Sequence, residues 1–231
     1  MNNVCFNHIC YADDSVLLAP SPSALQELLS ICEEYGYEYE MIYNTKKTVC
    51  MKFLPKCFRH LDDPLVYLYN NPLKWVIEQK YLGVIISSDK LDNADVCRQI
   101  RYTYTQGNTL VSNFRNCLRE VKCQLFKTYC YSLYNCYLWC SHTAGVMNRM
   151  KVAYNDVFRS LMNVRRGDSI SHVYVCENVL GFDALLRKSI FSFYKRVLSS
   201  SNILVNTIVS STYFDLVSKV FSMWKKRLFK F

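Results

Sequence analysis

Long apolar runs are missing from this sequence, and so is the pattern that begins a secreted protein. No stretch of 18 or more uncharged apolar residues occurs, whereas a membrane-spanning helix needs about 20. The first residues contain no basic segment followed by an apolar one, so we expect neither membrane insertion nor secretion. Glycine and proline are scarce, with 6 and 5 residues among 231. Together with a hydrophobic content of 51%, this scarcity predicts a globular chain with a sizeable core.

Cysteine is abundant by comparison, with 12 residues. Because no secretory signal is present, we interpret them as reduced thiols of an intracellular protein, cytoplasmic or nuclear, and not as a disulfide framework. Zinc could be bound by Cys136, Cys140 and His142, but the set lacks a C-x-x-C pair. Their spacing fits buried helix packing better, in which a free cysteine behaves as a small hydrophobe.

Acidic residues are depleted in the second part of the chain. Residues 1–96 contain 8 Lys and Arg against 13 Asp and Glu, whereas residues 97–231 contain 20 against 6. The net charge is therefore −5 in the first part and +14 in the second. This asymmetry indicates a polyanionic partner, with nucleic acid as the leading candidate. The alternative is an ordinary solvated helical surface.

An acidic pair, Asp13 and Asp14, lies between two short apolar segments. Both flanks have the character of strands, so the pair is predicted at the tip of a β-hairpin. Neighbouring side chains of a regular strand point to opposite faces, and only a turn lets both carboxylates approach one site. Carboxylate oxygens are ligands that Mg²⁺ prefers. The alternative is a solvated turn without a ligand.

Apolar periodicity predicts a mixture of hairpins and one helix in the first part of the chain. A helix is expected over residues 24–35, capped by Ser21 or Ser23 and ended by Gly36. A second hairpin is predicted over residues 65–77, with its turn at residues 70–72.

The second part of the chain, from about Asn93, has long helical patterns. The predicted helical segments are one that is interrupted near Gly107, one over 118–140, and three over 146–162, 182–199 and 213–229. A basic turn is expected over residues 163–171.

Three segments resemble, in chain order, motifs of reverse transcriptases. Tyr-Ala-Asp-Asp at residues 11–14 resembles palm motif C, and Asn-x-x-Lys-Thr at 44–48 resembles motif D. Tyr-Leu-Gly-Val-x-Ile at 81–86 resembles motif E, the primer grip. Their order and spacing resemble the reverse transcriptases of non-LTR (LINE-type) retrotransposons.

This resemblance implies an RNA-directed DNA polymerase that binds an RNA template, a DNA primer and deoxynucleotides. Asp13 and Asp14 would bind Mg²⁺ and carry the catalysis. Lys47 would lie near the phosphates of the incoming nucleotide and assist the pyrophosphate leaving group. The substrate-binding residues that it implies are Tyr11, Asn44, Leu82 and Gly83, with Asn44 shaping a turn and Gly83 permitting close approach of the backbone to nucleic acid.

The fold that the resemblance implies is α+β. An incomplete palm of β-hairpins with one packed helix would occupy residues 1–92, and a helical thumb with a C-terminal extension would occupy residues 93–231. In the thumb, Arg115, Arg119 and Lys122 would contact backbone phosphates.

One essential part of the family's site is not found in this chain. The two-metal mechanism needs carboxylates that bracket both ions, and in this family one of them is an aspartate of motif A, upstream of motif C. The chain begins only ten residues before Tyr11, and Asp62 and Asp63 lie in a proline-bounded segment without metal-ligand spacing. We therefore expect a fragment or degraded copy of a retroelement reading frame. It would be either a polymerase that needs the missing palm from a longer chain or partner, or a non-catalytic remnant that at most binds nucleic acid.

Overall fold

The chain is an α+β protein whose small β-hairpins come first and whose helices follow. The computed structural model describes residues 6–54 and 62–210. It divides into two compact units, residues 1–79 and residues 80–231, which are described separately. The predicted domain boundary at residue 92 rests on composition and stays a prediction.

The first unit consists of short strands around one helix. Strands β1 (His8–Tyr11) and β2 (Asp14–Leu17) form an antiparallel hairpin. Helix α1 (Pro22–Glu38) follows. The remaining strands are β3 (Val49–Cys50), β4 (Tyr67–Leu68), β5 (Asn71–Pro72) and β6 (Lys74–Trp75). β4 pairs with β5 in antiparallel fashion, and β3 pairs with β6 in parallel.

Helix α1 begins where the sequence predicts a cap. The Ser21 hydroxyl accepts a hydrogen bond from the Ala24 amide at 3.2 Å, and Pro22 occupies the first turn, where no amide donor is needed. The Gln26 side chain joins the helix to β4, because it both accepts from the Tyr67 amide at 2.8 Å and donates to the Tyr67 carbonyl at 3.0 Å. The small core of this unit contains Leu29, Cys50, Val66, Leu68 and Leu73, all buried.

The second unit opens with a hairpin and is otherwise helical in its described part. Strands β7 (Glu78–Tyr81), which crosses the division between the units, and β8 (Val84–Ser87) pair with each other. The helices are α2 (Asn93–Phe114), α3 (Arg119–Cys130), α4 (Ala144–Met162), α5 (Ile170–Cys176), α6 (Phe182–Leu198) and α7 (Ile203–Ser210), with a 3₁₀ turn at Cys136–Leu138.

Large aromatic side chains form the centre of the helical core. Phe126, Phe158 and Tyr154 are fully buried, and the Phe126 ring lies 4.7 Å from that of Phe158 and 5.1 Å from that of Tyr154. The buried Tyr154 hydroxyl donates to the Leu180 carbonyl at 2.7 Å. This bond removes the free-energy penalty that an unpaired buried hydroxyl would carry.

Two glycines that were expected to end or interrupt a helix lie inside one, so both predictions are wrong. α1 continues past Gly36 to Glu38, and α2 runs without a break through Gly107. Both positions are buried because a neighbour approaches closely. A β-carbon at Gly36 would lie 2.7 Å from the Met41 carbonyl oxygen, and one at Gly107 would lie 2.4 Å from a Val157 methyl. Close packing against a neighbouring residue, and not the end of a helix, explains why glycine occupies these two positions.

Two further predictions need correction. The helical stretch expected over 118–140 ends at Cys130, and an irregular segment with the 3₁₀ turn follows. The hairpin turn expected at residues 70–72 lies at Tyr69 and Asn70, which have φ of +50° and +60°. Two consecutive positive φ angles are what a tight type I′ hairpin turn requires. The helix predicted over 213–229 lies outside the described residues.

Candidate active site

The acidic pair lies at the tip of a two-residue β-hairpin, as the sequence predicts. Tyr11 pairs with Asp14, and Cys10 pairs with Ser15, so Ala12 and Asp13 are the two turn residues. Ala12 has φ of +54°, a left-handed conformation that is uncommon for residues other than glycine. The Tyr-Ala-Asp-Asp segment, which resembles motif C, therefore supplies both turn residues and the Tyr11–Asp14 pair that closes the turn.

Polar contacts on one face of the hairpin fix the two strands against each other. The His8 Nε2 atom lies 2.7 Å from the Ser15 hydroxyl and 3.0 Å from the Cys10 thiol. Leu17, four residues after Asp13, packs against the core of the first unit. The hairpin is thus anchored at its base, while its tip is exposed.

The Asp13 and Asp14 carboxylates are available to a ligand. Both residues are exposed, and neither side chain forms a hydrogen bond or ion pair with another residue in the described part of the chain. Two free carboxylates on one rigid turn fit part of a Mg²⁺ site. Within residues 6–54 and 62–210, however, no group of three or more His, Cys, Asp or Glu side chains converges on one point. These two residues alone do not complete a two-metal centre.

The segment that resembles motif D is a tight turn organised by Asn44. Its side-chain oxygen accepts from the amides of Lys46 and Lys47, each at 3.1 Å, and its carbonyl accepts from the Thr48 hydroxyl at 2.9 Å. Asn44 thereby fixes the chain just before β3. Lys47 is exposed, and among the described residues it shares no ion pair with Asp13 or Asp14.

Leu82 and Gly83 form the turn of the β7–β8 hairpin, where the sequence resembles motif E. Their φ angles are +45° and +82°. The Tyr134 hydroxyl donates to the Leu82 carbonyl at 3.2 Å, and a β-carbon on Gly83 would lie 2.7 Å from the Tyr134 ring. Gly83 therefore permits a close approach of this tyrosine, a residue that sequence reasoning did not identify.

A buried aspartate holds the same hairpin on helix α2. Asp95 is 1% exposed; it accepts from the Ile85 amide at 3.0 Å, from Arg98 Nε at 2.7 Å and from the Trp139 indole at 2.8 Å. These donors satisfy both oxygens of a carboxylate that burial would otherwise penalise. Sequence reasoning did not identify Asp95. The signal that could have found it is an acid directly beside the apolar positions Val96 and Ile100 of an amphipathic helix.

The three candidate phosphate-binding cations lie around the connection between α2 and α3. Arg115 and Arg119 are exposed and Lys122 is half-buried. Arg119 is in an ion pair with Glu177, with 2.6 Å between Nη2 and Oε1. The hydrogen bond from Arg119 lowers the pKa of the Glu177 carboxyl. Arg119 is therefore less free to bind a phosphate than the sequence suggested.

Of the two cysteines weighed as zinc ligands, Cys136 is buried in the helical core and Cys140 packs against that core. Cys136 is 1% exposed, and burial raises the pKa of its thiol to about 11. Cys130 on α3 shows the same effect more strongly, with a pKa raised to about 12 by burial. Both thiols belong to the helical core.

Comparison with known proteins finds a match to one family model. The family model for reverse transcriptase (RNA-dependent DNA polymerase) matches residues 2–86. No curated protein and no solved structure matches the chain. In the described part of the chain, no helix has both the length and the apolarity to cross a bilayer. The matched segment contains all three motif-like sequences, at 11–14, 44–48 and 81–86, and residues 2–86 are thus similar to a reverse transcriptase domain.

Proposed function

We propose that residues 1–92 are the C-terminal part of the palm of a LINE-type reverse transcriptase and that the helices after them are its thumb. The observation that carries this proposal is the Tyr11–Asp14 pair closing a two-residue turn, which presents at an exposed tip two carboxylates that have no partner among residues 6–54 and 62–210. The family match over residues 2–86 supports it. In the intact polymerase this site would add nucleotides to a primer.

Each motif residue has a role that its position allows. Asp13 and Asp14 hold Mg²⁺, which, when bound, offsets the charge of substrate phosphates. Lys47, exposed on the Asn44 turn, approaches the phosphates of the incoming nucleotide. Leu82 and Gly83 present the backbone of a tight turn to the primer, and Tyr11 borders the site from the closing pair.

A non-catalytic nucleic-acid-binding role is the second candidate. Residues 97–231 carry a net charge of +14, and the helical unit has a hydrophobic core of its own. A basic helical unit of this kind can bind a phosphate backbone without any contribution from Asp13 and Asp14.

Metal binding at the hairpin tip separates the two candidates. Mn²⁺, a spectroscopic substitute for Mg²⁺, is titrated into the full chain, and the free ion is followed by electron paramagnetic resonance. The double variant Asp13→Asn, Asp14→Asn is expected to bind clearly less Mn²⁺ than the wild type. A matched control is Glu38→Gln, Glu40→Gln, which removes the same charge from two other exposed acids. Equal losses in the two variants would contradict a metal site at the tip.

A further inference from the structure

A pocket with polar and charged groups among its lining residues lies between the irregular 131–137 segment and helix α6. Its volume is about 340 Å³, and the residues lining it include Tyr134, Tyr137, Lys188, Ser189, Ser192 and Arg196. All of them belong to the helical unit, and none is part of the motifs described above. The pocket is therefore distinct from the Asp13 and Asp14 site.

Side-chain contacts hold the two walls of the pocket together. The Tyr137 ring stacks on that of Phe193, with centroids 4.3 Å apart and planes 17° from parallel. Cys136 and Ser189 are joined by a side-chain hydrogen bond. Within the 131–137 wall, the Tyr137 hydroxyl donates to the Asn135 side chain at 2.7 Å. A pocket whose walls are fixed in this way needs little reorganisation to accept a ligand.

The pocket carries positive charge without a compensating acid. Lys188, Ser192 and Arg196 recur every four residues and so lie on one face of α6. None of the described residues that line the pocket is an Asp or a Glu. In the described part of the chain neither cation is in an ion pair, in contrast to Arg119 and Lys151, which pair with Glu177 and Asp183.

We propose that this pocket binds a phosphate group. Two cations supply charge-assisted hydrogen bonds, and the hydroxyl of the exposed Ser192 supplies a neutral donor, the combination that phosphate oxygens accept. Arg196 and Tyr137 line the same pocket, and the charge of Arg196 opposes the rise that burial causes in the pKa of Tyr137. Free pyrophosphate or a nucleotide, and the backbone of a nucleic-acid strand, share this chemistry.

Tyr134 connects the pocket to the β7–β8 hairpin. It lines the pocket, and it also touches the hairpin turn through the Leu82 carbonyl and Gly83. A phosphate held by Lys188 and Arg196 would therefore lie beside the primer-grip-like turn. The inference that the phosphate belongs to the backbone of a nucleic-acid strand rests on the proposed function. Binding of a phosphate by the pocket does not.

Isothermal titration calorimetry on the full chain tests the proposal with two probes, inorganic pyrophosphate and a 12-nucleotide single-stranded oligothymidylate. The test variant is Lys188→Gln, Arg196→Gln. The matched control is Lys195→Gln, Arg166→Gln, which removes one lysine and one arginine that are exposed and lie outside the pocket. We expect the test variant to weaken binding of at least one probe about tenfold for each lost cation, and the control to change it far less.

The outcomes identify the source of the phosphate. Pyrophosphate binding that depends on the pocket, without oligonucleotide binding, indicates a free phosphate ligand. Pocket-dependent oligonucleotide binding that pyrophosphate displaces indicates the strand backbone. Equal weakening in test and control variants, or no binding of either probe to the wild type, would overturn the proposal. Asp13→Asn, Asp14→Asn is expected to leave the pocket's affinity unchanged, so failure of the metal site would not be mistaken for failure of the pocket.

Discussion

At the scale of single residues, burial divides the cysteines into reactive and protected thiols. Cys10 and Cys176 are exposed. Burial raises the pKa of Cys123 and Cys136 to about 11 and that of Cys130 to about 12. Only the thiolate reacts rapidly with alkylating reagents. The buried thiols therefore combine poor access with almost complete protonation at neutral pH.

We expect maleimide at pH 7 to label Cys10 and Cys176 quickly, and Cys123, Cys130 and Cys136 only after unfolding. Peptide mapping by mass spectrometry, with and without denaturant, measures each site separately. Rapid labelling of Cys130 in the native chain would contradict the helical core described above.

Asp92 links the start of α2 to the segment before α4. Its carboxylate accepts from the amides of Cys140 and Ser141 at 2.7 and 2.6 Å. Burial raises the pKa of Asp92, and these two bonds oppose the rise. Because the folded state holds the proton more tightly than the unfolded state, the contribution of this carboxyl to stability is full below the unfolded pKa and falls as pH rises through the folded one.

Asp92→Asn should therefore gain stability relative to the wild type as pH rises above about 4, the ordinary aspartate pKa, because an amide oxygen still accepts hydrogen bonds but carries no charge. Asp92→Ala leaves two amides without an acceptor and should lose about 1–3 kcal/mol. Urea unfolding followed by circular dichroism between pH 4 and about 7 measures both effects. A constant difference between Asp92→Asn and the wild type across this range would show that the pKa is not raised.

At the scale of elements, the contact between α2 and α4 depends on a glycine. A β-carbon at Gly107 would lie 2.4 and 2.5 Å from the two Val157 methyl groups. Gly107→Ala gains up to about 1 kcal/mol of helix propensity but must push the helices apart, at a cost of about 1–3 kcal/mol. We expect net destabilisation, measured by urea unfolding.

The chain contains a matched control for this variant. Gly145, in the first turn of α4, has nothing within 4 Å of an added β-carbon, so Gly145→Ala should be neutral or stabilising. Val157→Ala in the Gly107→Ala background should restore part of the loss. If both glycine variants behaved alike, the close packing of α2 on α4 would be wrong.

Local chemistry made some elements predictable from sequence and left others out of reach. The Tyr11–Asp14 hairpin, the Ser21 cap and the helices expected over 146–162 and 182–199 follow from neighbours in the chain, and the structure confirms them. The errors at Gly36 and Gly107 arose because the use of a glycine there depends on a contact with a distant residue. Tyr134 was missed for the same reason, since it meets Leu82 across 52 positions of sequence.

At the scale of the whole molecule, catalysis needs more than the hairpin tip provides. A two-metal site requires carboxylates that bracket both ions, and Asp13 and Asp14 come from a single turn. We expect the 231-residue chain by itself to give no detectable primer extension on an RNA template with Mg²⁺ or Mn²⁺. Incorporation that disappears in Asp13→Ala would show that this chain contains a sufficient site.

Nucleic-acid binding by the basic half is expected whichever proposed function holds. Contacts to phosphates release counterions, so log affinity should fall with log salt by about 0.9 for each phosphate neutralised. The probe is a fluorescent RNA–DNA hybrid, titrated with the full chain at several salt concentrations and followed by anisotropy. Replacing Arg115, Arg119 and Lys122 together by glutamine should lower the affinity. It should also reduce the slope of log affinity against log salt by the equivalent of up to about three phosphate contacts.

The ion pair between Arg119 and Glu177 refines that expectation. A guanidinium held 2.6 Å from a carboxylate must leave that partner before it can bind a phosphate, so Arg119→Gln alone should change the slope less than Arg115→Gln. Glu177→Gln keeps the shape of the side chain but removes the competing charge, and should therefore strengthen binding and steepen the slope by about one contact. If Glu177→Gln leaves both unchanged while Arg115→Gln and Lys122→Gln weaken binding, Arg119 is a structural residue of the contact between α3 and the end of α5. If none of the four variants changes the slope, nucleic acid does not bind at this connection.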